Sequence, residues 1–196
     1  MRKDLVKKIE SSFLSCEKDV ETILKKLFVE NPRGGEDLKR LLILNTKDCL
    51  DNRESEVFKK TIQDKGKVSL LIQNGYIRLA PKIAMPEHEE VKSYILISFD
   101  NFTPNANNPE FRDCTITFDV ICHTDYWDVG NFRLRPLKIA GYIDGILNNA
   151  KLSGIGEFHF LGCSQLVLSE DLSGYTLMYR AIHSVDGDDK IPDGEE

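Results

Sequence analysis

RDCTITFDVICH, residues 112–123, is the stretch on which the fold turns. Cys114, Ile116, Phe118, Val120 and Cys122 occupy alternate positions, with Thr115, Thr117, Asp119 and His123 between or beside them. Successive side chains of a strand point to opposite faces. The spacing therefore predicts a strand with one dry and one wet face, the pattern of an antiparallel sheet covered on one side.

Working outward, Tyr94–Phe102 reads as a second long strand. Residues 158–169 and 175–185 read as two more, with Ser173-Gly174 marking the turn between them. Between the pairs, a helix from about Phe132 to Ala150 places Ile139, Ile143, Ile146 and Ala150 in one stripe that can cover the dry face. Gly141 and Gly145 weaken that helix, and close approach of helix to sheet is the expected return. Gly154 and Gly156 read as its stop.

Upstream, segment 3–29 carries Ile9, Phe13, Cys16, Val20, Ile23 and Leu27 at alternating steps of four and three, which predicts an amphipathic helix. Asn31-Pro32 with Gly34-Gly35 is expected to break it. Residues 36–44 fit either a helix or a buried strand. Residues 55–64 read as a helix supported by a Glu56–Lys60 pair. Val68–Ile72 and Tyr76–Leu79 flank Gln73-Asn74-Gly75, and Asn-Gly between two β-rich runs predicts a hairpin.

The expected class is α+β: an antiparallel sheet covered by helices, with an N-terminal amphipathic helix and an additional β-hairpin. Residues 1–185 read as one domain. Within it, 1–92 form a helical part with the hairpin and 93–185 a β-loop-β-α-β-β core, followed by an acidic tail over 186–196. With 196 residues and 41% hydrophobic content the chain suffices for one core.

No apolar run approaches the ~20 residues that span a bilayer, and acidic residues interrupt the N-terminal stretch, so no membrane contact and no secretory leader are expected. Five cysteines at wide, irregular spacing, with no C-x-x-C pair, predict reduced structural thiols. Residues 1–80 hold 17 Lys/Arg against 13 Asp/Glu, and the remainder holds 9 against 19. The second part should repel nucleic acid, whose phosphates bind through basic residues.

Chemistry is scarce along the chain. Cys122 and His123 face opposite sides of a strand and cannot readily share a metal. His88, His159 and His183 are scattered, although His159 and His183 become cross-strand neighbours if the last two strands pair in that register. Asp100 and Asp119 fall on adjacent strands, but no E-x-K follows either, as a metal-dependent nuclease would need. Phosphate-binding loops and a G-x-S-x-G elbow are lacking. No catalytic residue, metal ligand or cofactor is assigned. Thr103-Pro104-Asn105-Ala106-Asn107-Asn108-Pro109-Glu110 remains, longer and more polar than a hairpin connection needs. It reads either as a tolerated surface insertion or as a projection that touches a neighbouring subunit.

The arrangement from Ser93 to Val185, about half the chain, resembles the tail-terminator, or tail-completion, proteins of long-tailed bacteriophages. The resemblance lies in the strand Tyr94–Phe102 with its long polar loop, the strand through Asp113-Cys114-Thr115-Ile116-Thr117-Phe118-Asp119-Val120, the helix through Ile139-Ala140-Gly141-Tyr142-Ile143-Asp144, and the closing strands. It implies a small α+β subunit forming a ring with itself, usually a hexamer. That ring would cap the tail tube protein and dock onto the head-closure or connector protein, with DNA passing through without specific binding. The protein would be made in the host cytoplasm and end in the virion neck. Candidate subunit contacts are then Thr103, Pro104, Asn105, Asn107 and Asn108 in the loop and Asn74 and Tyr76 in the hairpin. Another head–tail neck component, or an unrelated α+β binding module, stands as the alternative.

Overall fold

A computed structural model describes residues 16, 18–79, 92–105 and 112–183. Its centre is a five-stranded sheet in the order β1-β2-β3-β7-β6. The strands are β1 (Ile77–Arg78), β2 (Ser93–Pro104), β3 (Arg112–His123), β6 (His159–Val167) and β7 (Leu172–His183). β3 occupies the middle, paired antiparallel with β2 and with β7 over its whole length. Cys114, Ile116, Phe118, Val120 and Cys122 are all buried, as the alternation predicts.

Helices seal that dry face. α1 is described over residues 18–28, followed by α2 (Pro32–Ile43), α3 (Glu56–Lys65), α4 (Val68–Gln73) and α5 (Arg135–Leu147). Ile23 and Leu27 of the N-terminal stripe are buried, joined by Leu24 and Phe28, while Ile9 and Phe13 lie outside the described residues. Ile139, Ile143 and Leu147 of α5 reach the same core, where Phe118 meets Tyr179 edge-on at 5.7 Å between ring centroids.

Several local expectations are corrected. Residues 36–44 are almost entirely helical, and the expected break at Asn31–Gly35 is instead the start of α2. Asn31 caps that helix by accepting from the Gly34 amide at 3.1 Å, and Pro32 occupies its first turn, where a missing N–H costs nothing. Gly35 sits inside α2 because a Cβ there would lie 2.9 Å from the Leu27 and Phe28 carbonyl oxygens of α1. In α3, Ser55 is the N-cap, and Glu56 pairs with Lys59 at 3.2 Å rather than with Lys60.

The hairpin expected over 68–79 does not form. Val68–Gln73 is helix α4, Gly75 turns the chain with φ +74°, and β1 then runs parallel to β2, with Ile77 opposite Ile95. The Asn-Gly turn is real, but it ends a helix packed by Leu71 into the core. A two-stranded hairpin occurs elsewhere, between β4 (Lys151–Leu152) and β5 (Gly156–Glu157). Gly154 and Gly156 serve that hairpin with φ +80° each, and α5 stops earlier, at Asn148 and the left-handed Asn149.

The other glycines also change roles. Gly141 and Gly145 face open space, with nothing within 4 Å of a built Cβ, so they do not bring α5 close to the sheet. Gly174 is the close-approach glycine. It lies within β7 rather than in a turn, and a Cβ there would overlap the Val120 carbonyl oxygen of β3. His159 stands opposite Arg180 and His183 opposite Arg112, so the two histidines are not cross-strand neighbours.

Candidate assembly surface

The β2–β3 arm carries the loop singled out from sequence. Thr103 pairs with Asp113 and Pro104 with Arg112, so both belong to β2. The register shifts between Asp100 and Thr103, and Asn101 there adopts φ +54°. Such a bulge bends and twists the strand locally. Asn105 donates its amide to Asp113 Oδ1 at 2.8 Å, and Arg180 of β7 donates to Asp113 Oδ2. These two donors, the Asn105 amide first, hold the Asp113 carboxyl below the usual range. Asn107 and Asn108 lie outside the described residues.

The other two candidates separate. Asn74 is exposed at the end of α4, where its amide donates to the Leu70 carbonyl at 2.8 Å. Tyr76 is buried, and its carbonyl accepts from Ile95 at 2.9 Å. Asn74 is thus the member of this pair that faces outward, and Tyr76 serves the sheet.

The two faces of the sheet differ in kind. Opposite the helices lie Ser98, Asp100, Thr115, Thr117, Thr176 and Met178, half-buried or exposed. Thr176 donates its hydroxyl to Asp119 at 2.6 Å. Asp113 is the carboxylate on this face with a paired cation, Arg180. A small apolar cluster of Tyr94, Leu96 and Ile121 closes one end, with Arg78 stacked 4.8 Å over the Tyr94 ring. The remainder is a polar surface rich in hydroxyls.

Buried polar groups serve the scaffold. Arg135 is fully buried and donates to four carbonyls: Tyr126 at 2.7 Å, Leu41 at 2.6 Å, Leu44 at 2.9 Å and Thr46 at 2.9 Å. Asp37 accepts from Arg53 at 2.8 Å and from the Tyr142 hydroxyl at 2.6 Å. Burial, then the bond to Asp37, pushes the Tyr142 hydroxyl up to about 12. Neither cluster was legible in sequence. A weak hint was available at Arg135, since a cation in the first turn of a helix opposes the helix dipole and needs another purpose.

The thiols are unsuited to nucleophilic work. Burial pushes Cys114 up to about 12 and Cys122 up to about 11, so both stay protonated at neutral pH. Among the described residues no group of three or more His, Cys, Asp or Glu is placed to hold a metal ion. His123 Nδ1 instead accepts from the Asp125 amide at 3.3 Å, capping the short 3-10 turn that follows β3. No helix among the described residues is long and apolar enough to cross a membrane.

The architecture defines the class first: an α+β protein in which, among the described residues, helices cover one face of the sheet. A family model, YomW, matches residues 35–181, and the chain belongs to the YomW family. That match takes in α3, α4, α5, most of α2 and all of the sheet but the last two residues of β7. No curated protein matches the chain. Among solved structures, a chain of the virion of a native gene transfer agent particle is similar at 17% identity and a TM-score of 0.38, over 62% of this chain and 88% of that one.

Proposed function

We propose that this protein is a non-enzymatic structural component of a phage-type particle, a ring-forming tail terminator that joins the tail tube to the head connector around the DNA channel. The observation that carries the reading is the asymmetry of the sheet. Its dry face is closed by α1, α2 and α5, while no described helix covers its other face, which is rich in hydroxyls and marked by Asp100 and Asp119. A face of that chemistry lining a channel lets polyanionic DNA pass, because it offers phosphates few cations to bind.

In this reading copies assemble head to tail into the ring of six that the family resemblance implies. The β2–β3 arm, with Thr103, Pro104 and Asn105 at its described end and Asn107 and Asn108 beyond, reaches the neighbour, and Asn74 offers a second exposed contact. One ring face meets the tail tube protein and the other the head-closure protein.

Electron microscopy of particles made with the gene disrupted tests this. Tails of uncontrolled length that do not join heads are expected. Tails of normal, uniform length that still join heads would overturn the terminator reading. Tails of uniform length left unjoined would move the protein to another neck position.

A further inference from the structure

Among the described residues the sheet has two unlike open edges. On one side β6 pairs with β7 alone, and no described strand lies beyond it. Seven of its nine residues are exposed, among them the apolar Phe160, Leu161 and Val167. β6 contains no Lys, Arg, Asp, Glu or Pro. Proteins usually blunt an edge with such residues or cover it, because its free amides and carbonyls template pairing with another chain. On the other side β1 covers β2 only at Ile95 and Leu96. Residues 98–101 therefore have β3 on one side and no described strand on the other.

We infer that β6 of one copy pairs, backbone to backbone, with the β1/β2 edge of a second copy, so that the sheet continues from subunit to subunit. The inference rests on the ring reading above and names its contact. The topology sets the direction of pairing. β2, β3, β7 and β6 are joined by three successive antiparallel pairings, so β6 runs opposite to β2 within one copy. A rotation that preserves strand direction then places β6 antiparallel to the neighbour's β2. The two edges differ, so the contact is heterologous, the kind that closes into a ring when the rotation is right. β6 contributes no charge to oppose Asp100, and pairing would satisfy backbone groups that otherwise depend on water. It also keeps the hydroxyl-rich faces of successive copies on one side.

Asp100 and Ser164 are both exposed and both lie on the face opposite the helices. In particles carrying the full chain with Asp100→Cys, Ser164→Cys and Cys163→Ser, a short bismaleimide is expected to produce a ladder of covalent multimers. Each single-cysteine parent should lack it. If the ladder is absent while an amine-reactive reagent still links copies of the same variant, edge pairing is wrong and the ring stands. If neither reagent links copies, both readings fall. Leu161→Lys with Val167→Lys changes only exposed side chains. Its melting temperature should stay within a degree or two of the parent while incorporation into particles is lost, and undiminished incorporation would overturn the pairing.

Discussion

The guanidinium of Arg135, in the first turn of α5, donates to the Leu41 carbonyl near the end of α2 at 2.6 Å. The last carbonyls of a helix lack intrahelical partners and carry the negative end of its dipole. A buried cation is stable there because Leu44, Thr46 and Tyr126 complete its acceptors. This contact joins the N-terminal helices to the helix that lies on the sheet.

Arg135→Leu should therefore destabilise the protein by about 3 kcal/mol or more, since it leaves buried carbonyls unsatisfied. Arg135→Lys should recover part of the loss, because an ammonium has three donors where the guanidinium uses its planar fork. Urea denaturation of the three proteins checks the order.

Phe118 is fully buried between the sheet and the helices and packs edge-on against Tyr179. Phe118→Ala should cost about 3–5 kcal/mol, and Phe118→Asp should leave the chain unfolded or severely destabilised. A folded Phe118→Asp variant of unchanged melting temperature would contradict the face assignment.

Two glycines give opposite expectations. Gly174→Ala should destabilise by several kcal/mol, because the new methyl overlaps the backbone of β3 and parts two strands. Gly141→Ala should stabilise by about 0.8–1 kcal/mol, since α5 gains helix propensity and nothing lies within 4 Å. Thermal melts of the two variants in parallel measure both signs.

Asp113 gives a pH prediction. Its folded-state pKa lies below the ordinary value, held there by Asn105 and then Arg180. Its contribution is therefore present above the ordinary carboxylate range of about 4 and is lost as pH falls through the depressed value. Protection of the Thr103 and Asn105 amides against exchange, corrected for the intrinsic rate, should fall in that acidic window and stay constant between pH 6 and 8. Asp113→Asn should remove the pH dependence.

The alternation of Cys114 through Cys122 determined β3 and its buried face, because a period of two admits one arrangement when one face must be dry. The stripes of α1 and α5, the order of the long strands and the class α+β followed from periodicity in the same way. What failed in sequence were decisions that depend on a distant neighbour. Val68–Ile72 has β-rich composition, but it became α4 because Leu71 packs into the helical layer, and short apolar runs carry no periodicity strong enough to resist that. Gly174 and Gly141 look alike in sequence. Only the fold places the Val120 carbonyl against one and open space beside the other. The buried acceptors of Arg135, drawn from residues 41 to 126, and the edges of β6 and β2 that face no described strand also belong to tertiary structure alone. Both arise from segments that meet across long stretches of chain, where local pattern has no reach.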